Sequence, residues 1–165
     1  MEKDEIEYLY ALYGNQIFLY ALTLCKNWHG AEDLTSDTFY KALLALDGSV
    51  TNVKHWLLRV CRNLFIDDYR KKKREVLKQI EDIHLPIEQI EPVEMILKDA
   101  SHQYLYSAIM QLSQTDREIL AMFYFLDCSI SQIAVHIGRT QGATKTGLSR
   151  ARKRLKEILE EEKYE

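Results

Sequence analysis

Apolar residues recur along the chain at intervals of three and four rather than two, and no strand or hairpin alternation stands out, so the pattern predicts an all-α protein. A first helix is expected around Ile6 to Lys26. A second runs from about Ala31 to Leu46, where Asp47, Gly48 and Ser49 supply a stop. A third runs from Val53 to about Arg74 and places Val53, Trp56, Leu57, Val60, Cys61 and Leu64 on one stripe, as a helix packed on its neighbours requires. Its C-terminal half turns polar and basic.

The second half repeats the helical period with stronger punctuation. After a helix from about Val93 to Leu112, Ser113 to Asp116 reads as a cap, its hydroxyl accepting from a free amide and its acid suiting the positive helix end. A helix through Leu120, Phe123 and Tyr124 follows. Ser129 to Gln132 caps a short helix carrying Ile133, Ala134 and Ile137. Gly138 then supplies a turn, Thr140 the next cap, and a long basic helix runs from Gln141 to about Glu160. Short helix, glycine turn, basic helix is the layout of a helix-turn-helix, and the small Ala134 lets its two helices approach.

Between the halves, residues 75–99 include Pro86 and Pro92, are acidic and have weak periodicity, which marks a linker. Some 25 residues could extend over about 80 Å. The expected organisation is therefore two small helical domains, 1–74 and 100–165, joined by an acidic tether over 75–99. No internal repeat relates them.

Charge changes the picture. The net charge of −3 argues at first against a nucleic-acid partner, but the 22 basic residues are clustered. Seven lie at Arg59, Arg62, Arg70, Lys71, Lys72, Lys73 and Arg74, and seven more at Arg139, Lys145, Arg150, Arg152, Lys153, Arg154 and Lys156, with no acid from Cys128 through Lys156. Residues 75–99 carry seven acids against two lysines. Either cluster could be a solvated helix face. Two of them in separate segments favour phosphate contact, where each neutralised phosphate releases counterions.

Composition excludes several classes. The longest apolar run, Ile119 to Leu126, has eight residues, far short of the about 20 that cross a bilayer, so no membrane insertion is expected. An acidic N-terminal stretch without a secretory signal points to the cytoplasm. Cys25, Cys61 and Cys128 are too scattered for a disulfide framework or a Cys-x-x-Cys site. Cys25 and His29 stand four apart, yet two ligands do not close a zinc site, so no metal is expected. Without a glycine-rich phosphate loop or paired catalytic carboxylates, neither enzyme, cofactor nor small-molecule substrate is expected.

Two stretches resemble one family. Ala31 to Ala42, with Glu32-Asp33-Leu34 and Ser36-Asp37, followed by Trp56 to Asn63 and Asp67 to Lys71, is similar to the polymerase-binding and promoter-melting domain of bacterial extracytoplasmic-function sigma factors. Ile133-Ala134, Gly138, Gly142, Leu148 to Arg152 and Leu155 resemble that family's second domain, the winged-helix-like, promoter-recognising helix-turn-helix called region 4. Both occur in the family's order and cover nearly the whole chain.

The resemblance implies binding to core RNA polymerase and promoter DNA, promoter-specific initiation with promoter melting, and an anti-sigma factor as a further partner. It places Asp33, Ser36, Asp37 and Lys41 on or near the polymerase-docking face, although acids suit a helix start in any case. It assigns the proximal promoter element, read as melted strand, to the third helix. There Asn63 can meet a base or sugar edge, and Arg62, Arg70, Lys71 and Arg74 suit the backbone. Phe65 and Tyr69 offer either a stacking face or ordinary helix packing, and Trp56 reads as core. The loop from Asp47 to Asn52 stands where the family captures a flipped base, but it is short and lacks the family's aromatic and arginine.

For the distal element, the resemblance assigns base reading to Lys145, Thr146, Ser149 and Arg150, and phosphate contact to Thr140, Gln141, Arg152 and Lys153. The chain departs from the family at Thr144, where valine is usual, at Arg139 (isoleucine), at Gly147 (arginine) and at Gln132 (glutamate). Gly147 should cost the helix about 1 kcal/mol against alanine. Two other readings stay open: a helix-turn-helix regulator acting without polymerase, and a helical adaptor whose charges are only solvated.

Overall fold

The computed structural model describes residues 1–76 and 96–163, all of whose regular structure is helical. The chain divides into two compact units, Met1–Ile90 and Glu91–Glu165. The expected tether falls mostly outside the described residues; of 75–99, residues 75–76 finish a helix and 96–99 precede the next one.

The first unit is three helices, α1 (Lys3–Cys25), α2 (Trp28–Ala45) and α3 (Val53–Val76). α1 starts three residues earlier than the apolar pattern predicts, because Glu2 and Glu5 form a reciprocal capping box ahead of the first apolar residue. It ends where Lys26 takes a left-handed φ of 55° and its amide reaches the Leu22 carbonyl. α2 also starts early, since the Asn27 side chain accepts from Gly30 N at 2.9 Å. The core joins Ile17, Tyr20, Leu22 and Leu24 of α1 to Leu34, Phe39 and Ala42 of α2 and to Leu57, Leu58 and Cys61 of α3. Leu58 is fully buried although it lies outside the predicted stripe, while Trp56 and Val60 are only half-buried.

The second unit holds α4 (Ala100–Ile109), α5 (Gln114–Tyr124), α6 (Ile130–Ile137) and α7 (Gln141–Lys163). α4 begins at Ala100, where Asp99 accepts from the amides of Ser101 and His102 and fixes the start, while the expected start near Val93 lies outside the described residues. Those two bonds hold the Asp99 carboxyl below its ordinary range. The other caps lie where the sequence places them. Ser113 accepts from Asp116 N, Ser129 and Gln132 form a capping box, and Thr140 Oγ1 accepts from Ala143 N at 3.1 Å. Gly138 turns the chain at φ 71°, which an L side chain rarely adopts. Among the described residues this helix-turn-helix carries no strand, and so no β-wing.

Candidate polymerase and nucleic-acid interfaces

On α2 the helical period sorts the residues cleanly. Ala31, Leu34, Thr35, Thr38, Phe39 and Ala42 are buried, and the opposite side presents Asp33, Ser36, Asp37 and Lys41 to solvent. The buried threonines are satisfied within the helix, Thr35 and Thr38 each donating to the carbonyl four residues back at 2.7 Å. Two apolar residues share the polar face: Tyr40 and Leu44 are 62% and 68% exposed. Their signal in the sequence is an apolar pair four apart on the wrong side of an amphipathic helix.

The cations predicted on α3 do not form one set. Asn63, Arg70 and Arg74 are exposed and fall along one side at spacings of seven and four. Arg62 is half-buried and engaged within the unit. Lys71 instead lines, with Lys72, a groove of about 760 Å³ whose other wall includes Asp33 and Asp37 of α2. Phe65 and Tyr69, with ring centroids 6.2 Å apart, line that same groove, the first half-buried and the second exposed. Cys25 opens onto it too, and burial pushes its thiol up to about 11, against the pull of Lys72. Among the described residues no cluster of His, Cys, Asp and Glu could hold a metal ion.

In the loop before α3, Asp47 Oδ1 accepts from the amide of Ser49 at 2.8 Å and from its hydroxyl, which holds the carboxyl below its ordinary range. Asn52 accepts from His55 N and caps the helix. Val50 and Val53 here face Tyr8 and Leu9 of α1 across a second cavity, of about 700 Å³.

In the second unit α7 buries Thr144, Leu148, Ala151 and Leu155 and exposes Lys145, Thr146, Ser149, Arg150 and Lys153. Thr144 fills the place of an apolar residue because its hydroxyl donates to the Thr140 carbonyl at 2.8 Å, leaving a valine-like surface toward the core. Gly147 sits against a neighbouring helix: a Cβ there would stand 3.3 Å from Ile119 Cδ1 of α5. At the helix start Gln141 donates to Ser131 Oγ at 3.2 Å and so ties α7 to α6.

Two arginines of the basic run are fixed by α5. Arg154 donates to Asp116 Oδ2 at 2.8 Å. Arg152 donates through Nε to Tyr124 Oη at 2.8 Å, with its guanidinium carbon 5.0 Å from the Phe123 ring centroid and 5.7 Å from that of Tyr124. Sequence reasoning misses both arrangements, since the partners lie 38 and 28 residues away. His136 of α6 lies beside Glu118 of α5, its Nε2 3.8 Å from Glu118 Oε1 with both side chains buried.

The chain matches the family models for Sigma-70 region 2 over residues 9–75 and for Sigma-70, region 4 over residues 102–155. It is 30% identical over 164 residues to the ECF RNA polymerase sigma factor SigM of Bacillus subtilis (strain 168), covering 93% of this chain and 94% of that protein. The RNA polymerase sigma factor YlaC of the same strain is 27% identical, with 99% and 96% covered. Among solved structures, the sigma factor RpoE, in complex with the anti-sigma factor NepR from Bartonella quintana, aligns with a TM-score of 0.73 at 28% identity, covering 94% of this chain and 97% of that one. CnrH, solved with the cytosolic domain of CnrY, shares the fold with a TM-score of 0.67 at 20% identity, covering 96% of this chain and 90% of that one. With likeness to SigM running nearly end to end in both proteins, and both sigma regions matched in order, the chain belongs to the extracytoplasmic-function sigma factors of bacterial RNA polymerase.

Proposed function

We propose that this sigma factor divides its work between residues 1–74, which bind core polymerase and handle the opened proximal promoter element, and residues 100–165, which read the distal element, with 75–99 as the tether. The observation that carries the reading is the pairing, in one chain, of a region 2 match and a region 4 match, each on a unit with an exposed cationic helix. A regulator acting without polymerase would leave the first unit without a role.

In this reading the exposed face of α2 docks on polymerase through Asp33, Ser36, Asp37 and Lys41, and Tyr40 and Leu44 add the apolar area that a docking face needs. Asn63, Arg70 and Arg74 meet the opened strand; Lys71 and the half-buried Arg62 flank it. The loop from Asp47 to Asn52, part of which borders the cavity facing Tyr8, takes the flipped base in this reading. α7 enters the major groove with Lys145, Thr146, Ser149 and Arg150 toward base edges, while Thr140, Gln141, Arg152 and Lys153 meet phosphates. RNA synthesis itself is polymerase chemistry, and no catalytic group is assigned to this chain. The place of action is the cytoplasm; among the described residues no helix is long and apolar enough to cross a membrane. An anti-sigma factor is inferred as a further partner because the similar RpoE was solved with one.

Transcription with purified chain and bacterial core polymerase on a genomic template tests the reading. Transcripts should start at defined positions that core alone does not use, and Asp33→Arg with Asp37→Arg should abolish them while leaving the chain folded. Initiation unaffected by that pair would remove α2 from the docking face. Defined starts absent from the unsubstituted protein would defeat the functional reading itself.

A further inference from the structure

Arg152 and Arg154 sit two residues apart on one helix, both exposed, and α5 treats them in opposite ways. Arg154 meets a carboxylate, so much of its charge is cancelled inside the unit. Arg152 is held by a phenol and two aromatic faces, and among the described residues it makes no ion pair, so its charge is positioned without being neutralised. Helical spacing puts it in one row with Lys145 and Ser149, at intervals of four and three. A guanidinium has five N–H donors. With Nε–H committed to Tyr124 Oη, the two terminal nitrogens carry the remaining four in a planar fork, and the Phe123 and Tyr124 rings restrain that plane.

We propose that Tyr124, aided by Phe123, is a positioning residue for DNA binding: it holds Arg152 as a preset bidentate clamp for one backbone phosphate beside the groove that α7 enters. The clamp spares Arg152 the ordering that a free arginine undergoes when it meets a phosphate. Tyr124 is 42% exposed, so its edge borders the same surface without itself needing a base. The inference rests on the reading of α7 as the DNA-facing helix.

The test uses the full chain and a fluorescein-labelled, mixed-sequence DNA duplex, with affinity followed across a potassium chloride series. Arg152→Gln should lower the slope of log affinity against log salt by about 0.9, the signature of one phosphate no longer neutralised. Tyr124→Phe, which keeps the ring but removes the acceptor, should weaken binding about threefold, and Tyr124→Leu about fivefold or more. Both effects should vanish in the Arg152→Gln background, and an unchanged melting temperature for Tyr124→Phe guards against a folding effect. Equal weakening by Tyr124→Leu with and without Arg152 would make Tyr124 a packing residue and overturn the proposal. An unchanged slope for Arg152→Gln, where Lys153→Gln lowers it, would refute the clamp and leave the α7 reading standing. If neither Arg152→Gln nor Lys153→Gln moves the slope, the α7 reading falls and the clamp with it.

Discussion

The two cationic helices look alike as strings of arginine and lysine but hold their charges differently. On α3 the basic residues from Arg70 to Arg74 are exposed, and an ion pair there, Lys72 with Asp68 at 3.1 Å, lies within the same helix and in solvent. On α7 Arg152 and Arg154 are fixed from a second helix, by Tyr124 and Phe123 on one flank and by Asp116 on the other. In the function proposed above, the exposed cations of α3 meet an irregular, opened strand and those fixed on α7 meet a duplex of regular spacing. The difference lies in what stands opposite each helix, not in its own residues.

The sharpest way to break the comparison is to undo the packing that gives α7 its fixed position. Leu148→Ala, at a site 1% exposed, should cost the second unit about 2 to 5 kcal/mol in chemical denaturation. Tyr69→Ala on the open end of α3 should stay within about 0.5 kcal/mol. Next, Asp116→Ala removes both the partner of Arg154 and an acid in the first turn of α5, and should cost about 1 to 2 kcal/mol by the same measurement. A smaller effect separates two glycines of α7. Gly142→Ala adds a Cβ with nothing within 4 Å and should raise stability by about 0.5 to 1 kcal/mol, while Gly147→Ala should gain less because its Cβ meets Ile119. Thermal unfolding of both variants, and of Gly147→Ala with Ile119→Val, resolves the crowding contribution. Least of all, Arg70→Gln with Arg74→Gln should change stability by under about 0.5 kcal/mol, while lowering the salt slope for a single-stranded oligonucleotide by about 0.7 for each phosphate the pair had neutralised. A destabilisation as large as that of Asp116→Ala would mean that the α3 cations are fixed after all.

Much of this architecture is legible because it is written locally. Ser113, Ser129 and Thr140 announce their helices through bonds spanning three residues, and Gly138 announces its turn through its own φ. The start of α4 is hidden because Asp99, which is a cap, reads in sequence as part of an acidic tether. The grouping of cations on α3 is hidden for another reason. Arg62, Lys71 and Arg74 differ by rotation about the helix axis, and which rotation faces a neighbour depends on α2, whose docking is not encoded in the α3 segment. In the run from Arg150 to Arg154 nothing distinguishes the two pinned arginines until α5 is folded beside them. Gly147 reads as a weakness of the helix and gains a physical rationale only when Ile119 is in view.

α7 continues as one helix to Lys163, well past the region 4 match, and its far end is acidic at Glu157, Glu160, Glu161 and Glu162, the last accepting from Gln111 at 2.7 Å. A rigid rod with cations from Lys145 to Lys156 and anions beyond them feels a torque in the field of a polyanion. With α7 as the DNA-facing helix proposed above, the phosphates would draw one end inward and push the other outward, turning the helix to its entry orientation before any base edge is within reach.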